Sequence, residues 1–351
     1  MRAYRKNRNP QATGPVPSSY VSRTPFDPEE LDFAILREMY RDGAVNLAGI
    51  DPRLNATRIA RTLRIGRARI ATRLRWWKES GFLQKYSVWL NPALLGWHGA
   101  WVALRVDHHR SKPGLFQRLS LVDGVVSAMD FLGPWVSVAV VAPDPTSLQR
   151  RIRLIRQMPG VDEVDAPVHW RTPEPARALT PLEVRVARAL RATPTATLSE
   201  IAQRVGVSTR TMTRRYSEMI ERWTVWFVPI FDFTALSRPI VSVNIRLRPG
   251  VAKEEISRAV RQRFPLALDF AATGIGPEVS PQDLVVFVAL PSPASLEELE
   301  QFLTAMEGVE GVESFLLVRM HDFPEWFDDH LASLAAPRPD RAGGRRAGSR
   351  R

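Results

Sequence analysis

The stretch Asn55–Gly96 reads NATRIARTLRIGRARIATRLRWWKESGFLQKYSVWLNPALLG, and the stretch Thr197–Arg238 reads TLSEIAQRVGVSTRTMTRRYSEMIERWTVWFVPIFDFTALSR. Aligned without a gap, they place like residues on like residues: Ile59 on Ile201, Ala60 on Ala202, Leu63 on Val205, Ile70 on Met212, Arg73 on Arg215, Trp77 on Met219 and Leu94 on Leu236. Because the period is as long as a domain, the pattern predicts a tandem duplication rather than a solenoid. Such a chain is expected to resemble a dimer fused into one polypeptide.

Each copy carries the pattern of a helix-turn-helix, and the second copy carries it more clearly. A short apolar helix ends at Gly206, which permits a left-handed turn, and Ser208 is placed to cap the next helix. That helix presents short polar and guanidinium groups outward: Thr209, Arg210, Thr211, Thr213 and Arg214. Such groups at the start of an exposed helix suit the major groove of DNA. The alternative is an amphipathic surface helix with ordinary solvated charges.

Composition points to a polymeric anion as the partner. The 351 residues suit two to four small domains, and the net charge is +12. A genome that favours arginine could explain part of this charge, but a mutational bias would spread along the chain. Instead, basic residues crowd the first copy, with only Glu79 against them: Arg58, Arg61, Arg64, Arg67, Arg69, Arg73, Arg75, Lys78 and Lys85. Double-stranded DNA is the predicted partner.

Several classes of site are not expected. The chain has no cysteine, which excludes disulfides, cysteine-ligated metals and a thiol nucleophile. Its histidines are scattered, and it contains no phosphate-binding glycine loop or nucleophile elbow. We therefore predict no metal, no cofactor and no catalytic residue. No apolar run is long enough to span a bilayer, and no signal peptide is evident, so the protein is expected to be soluble and cytoplasmic, with no membrane partner.

After each helix-turn-helix, β-rich runs alternate with amphipathic helices. In the first copy the runs are 97–106, 125–132, 136–141 and 161–169, with helices near 112–121 and 145–158. In the second copy they are 240–247, 268–272, 284–290 and 311–318, with helices near 253–264 and 293–306. The order βαββαβ predicts a ferredoxin-like sandwich, an antiparallel sheet with two helices on one face. The fold class is therefore α+β.

The predicted organisation alternates two kinds of domain between two basic arms. The arms, 1–24 and 336–351, are rich in Arg, Pro, Ser or Gly and read as disordered. The domains between them are a winged helix-turn-helix at 25–92, a sandwich at 97–172, a second winged helix-turn-helix at 178–233 and a second sandwich at 238–322.

The second copy resembles the Lrp/AsnC, or feast/famine, transcription regulators in the motif LSEIAxRVGVSxRTxxRR followed by a hydrophobic hairpin from Val225 to Phe231. The first copy resembles the same pattern in IARTLRIGRARIATRLRWWKESGFLQKYSVWLNP, with Gly81 before the wing. The resemblance covers the chain from about Phe26 to Met320. It implies DNA binding, a second domain that binds amino acids, and sandwiches that pair into a pseudo-dimer or a higher homo-oligomer.

The chain departs from the family at several positions. Arg64 stands where the second copy has its turn glycine, Gly66 stands where it has its cap serine, and Trp223 replaces the wing glycine. Effector-binding members carry a Gly-Asp-x-Asp-like loop after the second sandwich strand. Here only the glycine of that loop is kept, so the implied effector residues are Gly133, Trp135 and Gly274.

The leading functional hypothesis is a sequence-specific transcriptional regulator that is not an enzyme. Its predicted DNA-binding residues are Arg67, Arg69, Arg73, Arg75, Ser208, Thr209, Arg210, Thr211, Thr213, Arg214 and Arg215. The first copy offers mainly arginines suited to phosphates, and the second offers groups suited to base edges.

Two alternatives remain. The first is a sirohaem decarboxylase-like enzyme of haem biosynthesis, because Lrp/AsnC-like chains with this domain order include such enzymes. Those enzymes carry a His-Asn-Tyr-type motif on the second sandwich strand, whereas these strands read SAMDFLGPW and LDFAATGIG. The second alternative is a ligand sensor or scaffold that has lost DNA binding.

Overall fold

The computed structural model describes residues 25–39, 56–165, 168–170, 179–222, 224–269, 283–323 and 325–335. The predicted arms and Gly274 lie outside these ranges. The first half contains α1 Glu30–Met39, α2 Ala56–Leu63, α3 Arg67–Glu79, β1 Leu83–Leu90, β2 His98–Val106, α4 Lys112–Leu119, β3 Val125–Phe131, β4 Trp135–Ala142, α5 Pro145–Arg156, β5 Val161–Val164 and β6 Val168–Trp170.

The second half repeats the order of the first, without a separate counterpart of β6. It contains α6 Pro181–Ala192, α7 Leu198–Val205, α8 Thr209–Glu221, β7 Val225–Phe231, β8 Ile240–Leu247, α9 Lys253–Arg263, β9 Ala267–Asp269, β10 Asp283–Ala289, α10 Pro293–Thr304 and β11 Val309–Asp322, and it ends in α11 Glu325–Ala335. Helices and an antiparallel sheet in this order confirm the predicted α+β class.

Two sandwich sheets join edge to edge inside the chain. The strand order is β5-β2-β4-β3-β11-β8-β10-β9, and β6 also pairs with β2. We call the pairing of β3 with β11 the seam. It sets Met320 opposite Met129 and His321 opposite Ala128. The predicted last strand ended at residue 318, but β11 continues to Asp322 because the edge of β3 offers its backbone groups a partner.

Three apolar cores hold this arrangement. The helices α4 and α5 cover one sheet around Leu115 and Ile152, and α9 and α10 cover the other around Val260 and Leu299. A central core fills the space between the opposite sheet faces and both helix-turn-helix units. Burying apolar side chains on both faces of the sheets stabilises the joined halves as one body.

The segments after the helix-turn-helix units differ from the predicted wings. In the described residues each unit is followed by one strand rather than a local hairpin, and β1 pairs antiparallel with β7. Both strands are largely apolar, so pairing across the halves buries Trp89 and Phe227 in the central core. A solvent-facing wing would leave these side chains in water.

Helix α11 ties the C-terminal end of the described chain to the second helix-turn-helix. Asp328 accepts a hydrogen bond from Arg191 of α6 at 2.5 Å, and Arg188 donates to the Leu331 carbonyl at 3.2 Å. Phe327 is buried beneath Trp89. None of the helices in the described ranges is long and apolar enough to cross a membrane.

Candidate functional site

The second helix-turn-helix forms as its local signals predict. Thr197 and Glu200 make a reciprocal capping box at the start of α7. Gly206 ends that helix with φ 76°, a left-handed conformation that glycine adopts without strain. Ser208 Oγ then accepts a hydrogen bond from the Thr211 backbone amide at 3.2 Å, which caps α8. The turn therefore presents the start of α8 in a fixed orientation.

Helix α8 separates an anchored face from an open face. Met212, Tyr216 and Met219 are buried in the central core. The predicted residues on the other face are exposed: Ser208, Thr209, Arg210, Thr213 and Arg214. Thr211 is half-buried at the cap, and Arg215 is half-buried with its guanidinium 2.9 Å from Glu218. Five of the seven predicted side chains on this helix are thus exposed to solvent, and Thr211 and Arg215 are half-buried.

The first helix-turn-helix reaches the same shape with poorer local chemistry. Arg64 adopts the left-handed conformation, φ 55°, that glycine provides in the second unit. Gly66 caps α3 with no side-chain hydrogen bond. Arg67, Arg69 and Arg75 are exposed along α3, and Arg69 lies 3.9 Å from Glu29.

Arg73 does not lie where the sequence predicted. Its side chain is only 4% exposed, and it forms a bidentate ion pair with Asp32 of α1, to which its Nε donates at 2.9 Å. Trp77 donates to the same carboxylate at 2.7 Å, and Glu29 binds the remaining side of the guanidinium at 2.9 Å. The arginine is inside because a buried carboxylate on α1 needs its charge. Arg73 anchors the recognition helix and does not reach its open face.

The residues implied as an effector site lie at the end of the seam. Gly133, with φ 86°, makes the turn between β3 and β4. Trp135 is half-buried, with its ring centroid 6.2 Å from that of Phe315 on β11. The ring centroids of Phe131 and Phe315 are 5.6 Å apart. Leu132, next to Phe131 in the chain, is 66% exposed. This end of the seam is therefore a partly open aromatic surface.

A cluster of ionisable residues crosses the seam on its helix-covered face. We call Lys112, Asp130, His321, Arg319 and Asp232 the seam cluster. The buried Lys112 ammonium donates to Asp130 at 2.7 Å and to the Phe131 carbonyl. Arg319 lies opposite Asp130 across the strands and donates to Asp232 at 3.0 Å. The cluster therefore combines side chains from both halves.

The pKa of His321, within the seam cluster, is perturbed by its surroundings. Its ring stacks on Phe116 with centroids 3.8 Å apart. Burial lowers the pKa of His321 from its usual 6.5 to about 4, with Asp130 opposing and Arg319 reinforcing the shift. At neutral pH the imidazole is uncharged, so it can donate or accept a hydrogen bond. It lacks the second ring proton that an imidazolium would give up as a general acid.

The cluster also offers cations to an anionic ligand. An ammonium has three protons, and two of those on Lys112 have protein acceptors, which leaves one for a ligand. Arg319 remains 47% exposed while it binds Asp232. Sequence reasoning missed this site because its members are far apart in the chain and meet only when β3 pairs with β11.

The part of the chain that the structure describes also encloses a small cavity. A cavity of about 50 Å³ between α1 and the second sheet is lined mainly by apolar side chains, including Phe26, Phe33, Met129 and Phe287. Pockets for organic ligands measure roughly 300–1,000 Å³, so this cavity is a packing gap. Among the described residues, no group of three or more His, Asp or Glu side chains is arranged to hold a metal ion.

Comparison with known proteins gives structural matches only. No protein-family model and no curated sequence matches the chain. The siroheme decarboxylase NirDL matches with a TM-score of 0.50 at 15% identity, covering 88% of this chain and 100% of its own. AsnC of E. coli gives 0.29 at 14% identity over 44% of this chain. The Mycobacterium tuberculosis regulator LrpA gives 0.28 at 20% identity over 41%.

At these identities the likeness concerns the fold alone, which is α+β. The prediction that the chain is not an enzyme is contradicted by the NirDL match, because a solved structure that spans both halves is an enzyme. The prediction rested on the helix-turn-helix pattern, and that pattern lies inside a fold shared with an enzyme. A helix-turn-helix in this architecture therefore does not exclude catalysis.

Proposed function

We propose that this chain is an enzyme of the sirohaem decarboxylase type, which removes carboxyl groups from a carboxylate-rich tetrapyrrole at the seam. The observation that carries the proposal is the structural match over nearly the whole chain and the whole of NirDL. The seam cluster supports it, since cations from both halves lie where the two sheets join.

The reaction defines what the residues have to do. A carbon–carbon bond breaks, carbon dioxide leaves, the electron pair remains on the side-chain carbon, and a proton then replaces the lost carboxyl group. Lys112 and Arg319 would hold carboxylates of the substrate, as ammonium and guanidinium groups do elsewhere. Neutral His321, on the same face of the sheet, would orient a carboxylate through a hydrogen bond.

The histidine position differs from the pattern of the decarboxylases that the sequence resembles. Those enzymes carry a histidine on the second sandwich strand, and β3 has none. In this chain the histidine lies on the neighbouring strand: His321 of β11 is paired with Ala128 of β3. The proposal therefore assigns the histidine role to β11.

Turnover of sirohaem by the purified full-length chain in the absence of oxygen tests the proposal. Mass spectrometry of the pigment should show loss of carbon dioxide. Arg319→Gln is expected to raise KM and Lys112→Met to lower kcat, each by at least about tenfold, because charge-assisted hydrogen bonds contribute about 1.5–3 kcal/mol. Arg105→Gln is the matched control, since this exposed arginine binds Asp162 on the outer part of the first sandwich. Unchanged sirohaem with folded wild-type protein would refute the proposal.

A second candidate function is sequence-specific DNA binding through α8. The observation that favours it is the exposed polar row beside a well-capped turn, described above for the second unit. Arg210 and Arg214 would read base edges, and Arg67, Arg69 and Arg75 of the first unit would bind phosphates. An amino-acid effector at Gly133 and Trp135 belongs to this second candidate.

DNA selection with the purified chain, followed by binding to a panel of operator variants, tests the second candidate. Arg210→Ala is expected to relax base preference by about 1–3 kcal/mol per bidentate contact. Arg69→Ala is expected to weaken binding to all sequences equally and to lower the salt slope by about one unit. A salt slope near zero for the wild type would exclude DNA binding.

A further inference from the structure

The equivalent helices α5 and α10 carry opposite charges. Helix α5 contains Arg150, Arg151, Arg153 and Arg156 and no acidic residue. Helix α10 contains Glu297, Glu298 and Glu300 and no basic residue. Both helices cover the outer side of their sandwich, so the two halves present faces of similar shape and opposite sign.

The basic face is open to solvent and partly apolar. Arg150 and Arg153 are exposed, and Leu154 beside them is 50% exposed. Together with Val122 and Gln157 they line an open cleft of about 560 Å³. Arg151 is occupied, because it binds Asp123 and the Val141 carbonyl. An exposed leucine beside exposed guanidinium groups suits a protein surface that is acidic and partly apolar.

The outer face of α10 is acidic and partly apolar. Glu297, Gln301 and Thr304 are exposed along one side of the helix, and Phe302 is half-buried beside them. Glu298 is also exposed and binds Arg263 of α9. In the alignment of the halves, Glu298 takes the position of Arg150, so the charge is reversed at this one equivalent position.

We propose that the chain self-associates head to tail, with the outer face of α5 in one copy docked on the outer face of α10 in the next. Charge complementarity selects a second copy as the occupant, because each chain carries both faces. Pairing α5 with α5, or α10 with α10, would place like charges together, which is unfavourable. The contact is heterologous, so it produces a closed ring or an open filament.

The charge reversals test this interface in a way that a general electrostatic effect cannot imitate. One variant carries Arg150→Glu and Arg153→Glu, and so has two acidic faces. The other carries Glu297→Arg and Glu298→Arg, and so has two basic faces. Each alone is expected to self-associate at least about tenfold more weakly than the wild type in sedimentation velocity at low salt, since like charges then meet. An equal mixture of the two is expected to restore assembly, in alternating order.

A control variant, Arg61→Glu with Lys78→Glu, changes the net charge by as much as the α5 variant does, at exposed sites of the first helix-turn-helix on the other side of the sheet, and is expected to assemble as the wild type does. Circular dichroism of each variant verifies folding. A wild type that stays monomeric at low salt, or variants whose mixture fails to assemble, would overturn the proposal. Binding of a nucleic acid to α5 in place of a second copy would also overturn it.

Discussion

The two helix-turn-helix units have the same shape but hold their recognition helices in different ways. In the second unit α8 is held by buried apolar side chains and by caps at its own end, Gly206 and Ser208. In the first unit α3 is held by the buried pair of Arg73 with Asp32, while its turn is strained at Arg64 and its cap lacks a side-chain acceptor. An arginine at the same aligned position is therefore a buried anchor between two helices in one copy and a half-buried residue paired within its own helix in the other.

The difference bears on function. In the first unit, Arg73 of the recognition helix is used to pack that helix against α1. This is expected of a domain whose role is to support the sandwiches. The second unit leaves its polar row available to a ligand. The seam cluster lies apart from both, so chemistry at the seam and binding at α8 can be altered independently.

The largest expected effect comes from breaking the buried pair. Arg73→Ala should reduce the free energy of unfolding by about 3–5 kcal/mol, because Asp32 is then left charged and buried without its partner. The aligned change Arg215→Ala should cost less than about 1 kcal/mol, since that ion pair is partly solvated. Urea denaturation followed by circular dichroism measures both. Equal losses in the two variants would show that the units are anchored alike.

Burial of His321 at the seam predicts that the free energy of unfolding depends on pH, with an effect of intermediate size. Because the pKa of His321 is lowered to about 4 in the folded chain and is near 6.5 when unfolded, the unfolded state binds more protons between these values. Stability should therefore fall as pH drops from about 6.5 to 4, by on the order of 2–3 kcal/mol. His321→Phe should remove this component while Arg73→Ala keeps it. Parallel pH profiles for His321→Phe and the wild type would contradict the assignment.

Substitutions in the turns of the two helix-turn-helix units should change stability by smaller amounts and in opposite directions. Gly206→Ala should destabilise by about 1–2 kcal/mol, because a side chain is strained in the left-handed conformation. Arg64→Gly should instead stabilise, by less than about 1 kcal/mol, since relief of strain is offset by greater freedom of the unfolded chain. Thermal denaturation of both variants checks the signs. A loss of stability in Arg64→Gly would mean that its side chain makes contacts that outweigh the strain.

The caps provide the smallest test. Ser208→Ala should cost about 1 kcal/mol because the Thr211 amide loses its acceptor. Gly66→Ser should gain a few tenths of a kcal/mol by supplying such an acceptor, and the space around Gly66 is open to a side chain. If Gly66→Ser is neutral and Ser208→Ala is costly, the backbone around α3 does not allow the cap to form.

The sequence predicted the second helix-turn-helix well because its signals are local. Gly206 and Ser208 act within a few residues of the backbone groups that they satisfy. The inward position of Arg73 depends on Asp32, a carboxylate within the apolar stripe of α1, and that combination is visible in the sequence. Helical period alone placed the arginine outside.

The seam could not be predicted in the same way. Lys112 and His321 belong to different halves and become neighbours only through the pairing of β3 with β11. The pairing of β1 with β7 is similarly non-local, which explains why two expected wings are one shared ribbon. Periodicity identifies strands but does not select their partners when several edges are available.

The central claim, that the seam rather than the recognition helices carries the chemistry, is tested most directly by one comparison of sirohaem turnover. Wild type, Lys112→Met and the double variant Arg210→Ala with Arg214→Ala are incubated with the pigment, and the decarboxylated product is measured by mass spectrometry. The account predicts equal product from the wild type and the α8 double variant, and at least about tenfold less from Lys112→Met. Recovery of unchanged sirohaem from the folded wild type, or undiminished turnover by Lys112→Met, would contradict it.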